Sequence, residues 1–251
     1  MTDQTATRRS VLAIGGSDRL DFLQGLVSND VNRLVQGSVY AALLSPQGKY
    51  LADFFLVADG DRVLLDVDTA FAGGLLRRLS MYRLRADVSI GATDLLVTRG
   101  LGARPDGAFE DPRHPSLGWR YIARQAAPAG PADWAALRVA ACIPESGIEL
   151  IPDDSYILEC GFERLNGVDF RKGCYVGQEV TARMKHKTEL RKGLVTVDLQ
   201  GAAPVGTAIM AGDRQAGTLF TQSGDRAIAF LRFDRATGPM QAGTAHIRWN
   251  P

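Results

Sequence analysis

Cysteine is scarce in this chain, and its cysteines form no motif. The 251 residues contain three of them, Cys142, Cys160 and Cys174, without a Cys-x-x-Cys pair. An odd number without paired spacing argues against a disulfide framework and for a reducing compartment. Three thiolates also fall short of the four that usually hold an iron–sulfur cluster. We therefore expect no cluster to be held by this chain alone.

Other signals for particular protein classes are missing as well. No run of 18 apolar residues occurs, and the opening MTDQTATRRS lacks the apolar stretch of a signal peptide. The formal net charge is only +1, so no global field points to nucleic acid or to a membrane. His114, His186 and His246 lack the spacing of a zinc site, and we predict no metal. The expectation is a cytoplasmic protein with neither a membrane nor a nucleic-acid partner.

The first three quarters of the chain mix short strands with helices. Apolar residues at 39–44, 50–58 and 62–67, separated by turn residues, predict an antiparallel meander. Helical spacing predicts a helix at 69–84. Further predicted elements are strands at 88–98 (interrupted at Gly91) and 119–123, and helices at 132–142 and 156–165. Hairpins in place of regular strand–helix–strand alternation indicate an α+β fold.

The pattern changes after residue 192. Short apolar runs follow one another there, separated by Gly, Pro, Asp and Ser. Evenly spaced short strands of this kind predict a small β-barrel or sandwich. We therefore predict two domains, one at 1–190 and one at 191–251.

Residues 172–179, KGCYVGQE, fit neither a helix nor a strand. The octet, called the signature loop below, combines two glycines with a thiol, a cation, a carboxamide and a carboxylate. Arg171 and Lys172 precede Cys174 closely, and nearby positive charge favours a thiolate. The alternative interpretation is a glycine-rich connector around a buried, inert cysteine.

Two segments carry a resemblance to a known family. KGCYVGQE, continued as VTARMKH, resembles the signature of the YgfZ family of folate-binding proteins associated with iron–sulfur proteins. That family is related to the aminomethyltransferase (T-protein) of the glycine cleavage system. DFLQGLVSNDV, at 21–31, resembles the family's opening, where a helix end helps to wall the folate cavity. The resemblance implies a T-protein-like folate-binding domain of antiparallel sheets and helices, followed by a small C-terminal β-barrel.

The resemblance also implies a ligand, partners and a site. The ligand is tetrahydrofolate or a one-carbon derivative, and the partners are iron–sulfur proteins or their assembly machinery. Cys174 is the implied functional thiol, as nucleophile, transient metal ligand or oxidation sensor, with Lys172 and Asp53 as further catalytic candidates. The implied folate-binding residues are Asp53, Lys172, Gly173, Tyr175, Gly177, Gln178 and Glu179.

Asp53 separates two functional alternatives. GKYLADFFLV resembles the T-protein strand that carries two adjacent aspartates, but here the pair reads Ala52-Asp53. Proton transfer or iminium stabilisation needs its carboxylate in place. The missing one favours a folate-binding accessory protein over a tetrahydrofolate-dependent aminomethyl or C1-transferase. A scaffold without a ligand is a third possibility. For Asp53 itself, the alternative interpretation is that it simply faces water.

Positive charge is concentrated next to the signature loop. Seven cations lie between residues 171 and 192, namely Arg171, Lys172, Arg183, Lys185, Lys187, Arg191 and Lys192. Such a run is commonly a solvated face. The competing interpretation is an anion-binding rim, which suits the glutamate tail of folate. RNA phosphate is a second candidate, but one short cluster on a near-neutral chain is weak evidence for it.

Overall fold

The computed structural model describes residues 8–187 and 189–250. It divides into two compact units. The first contains residues 8–132 and 163–178, and the second contains residues 133–162 together with the described residues from 179 onwards. The two units alternate along the chain, since residues 133–162 belong to the second unit and residues 163–178 to the first. The predicted boundary between 190 and 191 therefore stays a prediction.

A five-stranded antiparallel sheet organises the first unit, in the order β2-β3-β4-β1-β5. Gly48 and Gly60 have positive φ at the two hairpin turns of the meander, where a left-handed residue is required. The predicted meander is confirmed. Its strands are β1 (Arg9–Gly15), β2 (Val39–Leu44), β3 (Tyr50–Asp59), β4 (Arg62–Asp68) and β5 (Ser89–Ala92).

Two helices belong to the same unit, α1 (Arg19–Gln24) and α2 (Thr69–Tyr82). The Asp68 carboxylate starts α2 by accepting a hydrogen bond from the N–H of Ala70. The buried face of α2 carries Leu75 and Leu79. The main core lies on this side of the sheet and includes Leu12, Phe54, Leu56, Leu65 and Val67.

A smaller sheet completes the first unit. Its strands are β6 (Leu96–Gly100), β7 (Phe109–Glu110) and β8 (Trp119–Ala123), in the order β6-β8-β7. The predicted strand at 119–123 is confirmed, and the one predicted at 88–98 is split into β5 and β6. Val97 packs with Val11 and Leu64 of the larger sheet.

The second unit contains a closed barrel, in the strand order β10-β11-β12-β9-β14-β13. Its interior is filled by small and branched apolar side chains such as Ile209, Leu219 and Ile247. The predicted C-terminal barrel is confirmed. Its strands are β9 (Lys192–Gln200), β10 (Ala208–Ala211), β11 (Arg214–Ser223), β12 (Arg226–Arg232), β13 (Met240–Ala242) and β14 (Ala245–Arg248).

The helix predicted at 132–142 is confirmed as α3 (Trp134–Ala141), which ends where Cys142 turns left-handed. The helix predicted at 156–165 is wrong. That segment forms successive turns, because Gly161 has φ +77° and interrupts any helical run. The last helix, α4, spans Gln178–Lys187. No helix of the described residues is long and apolar enough to cross a membrane.

Candidate functional site around the signature loop

Lys172 joins the signature loop to the end of α1. Its buried Nζ donates hydrogen bonds to the carbonyl oxygens of Gln24 at 2.8 Å, Val27 at 2.6 Å and Asn29 at 3.0 Å. Carbonyls at and just past a helix end lack helical partners, and a cation there also interacts favourably with the helix dipole. Burial lowers the pKa of Lys172 to about 8, against the raising effect of Asp30 and Asp169. The side chain thus faces inward as a structural link.

The residues just before the loop strengthen this junction. Ser28 Oγ donates to the carbonyl of Gly167 at 2.6 Å, and the N–H of Asp169 donates to the carbonyl of Ser28 at 3.0 Å. Asn29 Nδ2 donates to the carbonyl of Asn166 at 2.7 Å. The structure therefore brings together the two segments on which the family resemblance rests.

Gly177 fixes the other end of the loop. Its φ is +83°, and a Cβ at this position would lie 2.6 Å from the carbonyl oxygen of Ser45 and 2.9 Å from Leu44 Cβ. Only glycine meets both constraints, so the loop presses directly on the β2–β3 hairpin. Tyr175 is buried, with its ring centroid 5.1 Å from Lys172 Nζ.

The remaining loop residues lie at the surface or at a helix start. Cys174 is exposed, whereas Cys160 is buried and Cys142 is half-buried. Burial raises the pKa of the Cys160 thiol to about 12. Around Gly173 an added Cβ would meet open space. Gln178 and Glu179 begin α4, and Glu179 adds negative charge to its first turn, where the helix dipole favours it. Cys174 is thus exposed on a loop that is held in place at Lys172 and at Gly177.

Asp53 is buried and does not face water. Its carboxylate accepts hydrogen bonds from the hydroxyls of Tyr40 at 3.0 Å and Tyr50 at 2.7 Å. The three residues lie on adjacent strands, so the carboxylate ties β2 to β3. The structure thus places Asp53 and Cys174 in different environments, one buried between phenols and the other exposed.

A buried charge network, which the sequence analysis missed, lies in the same unit. Arg9 Nε is 2.6 Å from Asp66 Oδ1, and Arg113 Nη2 is 2.8 Å from Asp111 Oδ2. Arg120 lies between the two carboxylates, 3.4 Å from Asp66 and 3.7 Å from Asp111. Burial lowers the pKa of Arg120 to about 9. The two partners of Arg120, Asp66 and Asp111, are far apart in sequence, so no local pattern predicts that they meet at this arginine.

Among the described residues, the structure shows a small cavity near the signature loop but no cluster of metal ligands. Among residues 8–187 and 189–250, no group of three or more His, Cys, Asp or Glu side chains is placed to hold a metal ion. A cavity of about 240 Å³ lies beside the Lys172 junction. It is lined by Asn29, Arg33, Tyr40, Asn166 and neighbouring residues. Ligand pockets usually measure about 300–1,000 Å³, so this cavity suits a fragment of a folate-sized molecule at most.

Comparison with known proteins supports both parts of the fold. Residues 191–251 match the family described as CAF17, C-terminal beta-barrel domain. The glycine cleavage system aminomethyltransferase T of Bartonella henselae superposes with a TM-score of 0.74 and 14% identity. The match covers 95% of this chain and 81% of that one. At that identity the likeness shows the fold alone.

The sequence is similar to curated iron–sulfur cluster assembly factors. The iron–sulfur cluster assembly factor IBA57 homolog of Mycosarcoma maydis is 34% identical over 230 residues, covering 78% of this chain and 57% of the relative. IBA57 of Mus musculus is 29% identical over 283 residues, covering 94% and 79%. IBA57 of Homo sapiens is 28% identical over 284 residues, covering 96% and 78%. This chain resembles IBA57-type assembly factors.

These relatives confirm part of the sequence analysis and correct another part. The expected likeness to proteins of iron–sulfur assembly and to the T-protein fold is confirmed. The predicted cytoplasmic location is wrong by the same comparison, since all three relatives are named as mitochondrial. The chain spans just over half the length of the Mycosarcoma maydis protein.

Proposed function

We propose that this protein is an iron–sulfur cluster assembly factor of the IBA57 type and that Cys174 is its working group. The similarity to IBA57 of Mus musculus, which extends over 94% of the chain, supports the role. The observation that carries the assignment of Cys174 is its exposed thiol in a loop fixed on both sides. Lys172 anchors one side and Gly177 the other.

The chemistry of a single thiol limits what Cys174 does. Thiolates are the usual protein ligands of iron–sulfur clusters, which need several of them. Cys160 is buried with a raised pKa and is a poor ligand. The thiol of Cys174 therefore contacts a cluster, as cargo, only while other ligands come from a partner. A loop that is fixed before the partner arrives reduces the entropy lost on forming that contact.

A finer part of the proposal is that a reduced folate binds to the first unit. The resemblance of both the signature loop and residues 21–31 to a folate-binding family supports it. Asp53 is already bonded to Tyr40 and Tyr50, and Ala52 stands where T-protein has a second carboxylate. Both features argue against aminomethyl transfer.

The assembly role is tested in cells that lack this protein. The wild-type chain, Cys174→Ser and the control Cys142→Ser are supplied in turn. The activity of iron–sulfur enzymes is measured together with the abundance of each variant. We expect Cys142→Ser to restore activity and Cys174→Ser to fail at equal abundance. Full restoration by Cys174→Ser refutes the assignment of the thiol. Failure of the wild-type chain refutes the role.

Folate binding is tested separately by calorimetry. Tetrahydrofolate and its methylene and formyl derivatives are titrated into the wild-type chain and into Cys174→Ser. We expect binding with equal affinity in both, because the proposed thiol function does not require a contact with folate. The absence of heat and of any thermal shift with all three folates removes this part of the proposal and leaves the assembly role standing.

A further inference from the structure

The C-terminal half of α2 and the residues after it form an exposed basic surface. Between Asp68 and Asp87 the sequence contains no acidic residue. The surface, called the α2 tip here, consists of Arg77, Arg78, Met81, Arg83, Leu84 and Arg85, all exposed. Four cations within nine residues contrast with the net charge of +1 for the whole chain.

The arginines of the α2 tip have no acidic partners of their own. Arg83 Nη1 makes one long contact, 3.4 Å, with the carbonyl oxygen of Val88. Neither it nor the other three forms an ion pair within the part of the chain that the structure describes. Asp87, the next carboxylate along the chain, instead accepts hydrogen bonds from the N–H and hydroxyl of Ser17. Among the described residues, no ion pair therefore neutralises these four arginines.

Two large apolar side chains project from the same surface. Met81 is 75% exposed and Leu84 is 87% exposed. Positions 77, 78 and 81 share a helix face, because residues three and four apart are neighbours on a helix. All three are exposed, whereas Leu75 and Leu79 of the same helix are buried. The core of the unit thus makes no use of Met81 or Leu84.

Leu84 also has an unfavourable backbone conformation. Its φ is +46°, in the left-handed region that favours glycine or asparagine. Backbone strain of this kind concentrates at functional positions. An exposed leucine there is costly for folding and contributes nothing to the core. This second observation, independent of the charge, points to a contact outside the chain.

We propose that the α2 tip docks onto an acidic surface of a partner protein, with Leu84 and Met81 as apolar anchors. Arginine and methionine are both enriched in protein–protein interfaces. Charge complementarity specifies the sign of the partner, because four guanidinium groups without ion pairs attract carboxylates and repel basic surfaces. Carboxylates around a small apolar recess on the partner complement this surface.

Two other macromolecules fit the α2 tip less well. A helix that lies on a membrane needs a wide apolar face, but the apolar face of α2 is buried against the sheet. Single-stranded nucleic acid is usually bound through aromatic side chains that stack on bases. The tip presents no exposed aromatic ring, since Tyr82 is half-buried. An acidic protein surface is therefore the best match.

The test measures binding of a short, fluorescently labelled peptide rich in glutamate and containing two leucines. Fluorescence anisotropy is recorded with the full chain and with Arg77→Glu/Arg78→Glu. The control Arg214→Glu/Arg226→Glu makes the same change in net charge at exposed positions of the barrel. We expect the α2 variant to weaken binding by about tenfold or more, and the control to change it by less than about twofold.

The apolar part of the proposal has its own variant. Leu84→Asn removes the anchor but suits a left-handed backbone, so it keeps the fold. We expect it to weaken peptide binding at least about threefold while the melting temperature is maintained or raised.

Two results with the peptide overturn the proposal. One is no binding by the wild-type chain, and the other is an equal loss of binding in the α2 and barrel variants. A third result also overturns it. Phosphatidylglycerol vesicles or polyuridine RNA bind as tightly as the peptide or more tightly, and Arg77→Glu/Arg78→Glu abolishes that binding. The α2 tip is then assigned to that ligand.

Discussion

The Nζ of Lys172 lies 2.6 Å from the carbonyl oxygen of Val27, a residue 145 positions earlier in the chain. This bond connects the signature loop to the segment just past α1. It gives the lysine a definite structural task, since the same nitrogen also bonds the carbonyls of Gln24 and Asn29. The loop's most prominent cation is thus used to hold the loop in place.

Replacing Lys172 by methionine should destabilise the first unit. Methionine has a similar length but cannot donate, so three carbonyls lose their shared partner. Leaving buried polar groups unpaired costs about 1–3 kcal/mol, and we expect a loss of that size in the free energy of unfolding measured with urea. Arg171→Met is the control, because that side chain is exposed, and it should change stability by less than about 0.5 kcal/mol. Equal stabilities for the two variants would contradict the anchoring role.

The two glycines of the loop should respond differently to alanine. At Gly177 a Cβ would lie 2.6 Å from the Ser45 carbonyl oxygen with φ at +83°. We expect Gly177→Ala to lose at least about 1–3 kcal/mol of stability through strain and overlap. Gly173→Ala meets open space and should stay within about 0.5 kcal/mol of the wild type. Chemical denaturation of both variants decides the point, and a tolerated alanine at 177 would refute the close approach.

Local patterns predicted the fold better than they predicted the site. Apolar runs separated by turn residues located β2, β3 and β4, and evenly spaced short runs located the barrel. These signals are local, because a strand and its hairpin partner lie close in sequence. The segment at 156–165 shows the limit of such signals. Its apolar residues suggest a helix, but Gly161 takes a left-handed conformation and the chain turns instead.

The site depends on contacts that no local pattern contains. The octet and residues 21–31 were recognisable by resemblance, and the structure brings them together. The inward direction of Lys172 was not predictable, since a lysine among other cations is usually solvated. The same holds for Asp53, whose phenol partner Tyr40 lies on a neighbouring strand. Buried polar pairs are set by strand register, which sequence alone does not supply.

Accessibility predicts an order of reaction for the three cysteines. In the folded protein at neutral pH, iodoacetamide should modify Cys174 first, Cys142 more slowly and Cys160 hardly at all. Cys160 is both buried and raised in pKa to about 12, so almost none of it is thiolate. Mass spectrometry of peptides at successive times gives the three rates, and unfolding in urea should make them similar. A rate for Cys174 no greater than that for Cys142 would contradict its exposed position.

The buried pair of Asp111 and Arg113 should make stability depend on acid. Burial alone raises the pKa of Asp111, but the charge and hydrogen bonds of Arg113 outweigh it, and the pKa is lowered. A carboxylate whose folded pKa lies below its unfolded value of about 3.9 stabilises the fold above that value. The contribution is lost as the pH falls through the folded pKa. Asp111→Asn should therefore cost about 3 kcal/mol or more in the free energy of unfolding at pH 7 and flatten the loss of stability below about pH 4.

The control is Asp94→Asn, which breaks a largely exposed pair with Arg124. It should cost less than about 1 kcal/mol in urea unfolding across the same pH range. Parallel pH profiles for Asp111→Asn and the wild type would show that this carboxylate does not carry the acid sensitivity.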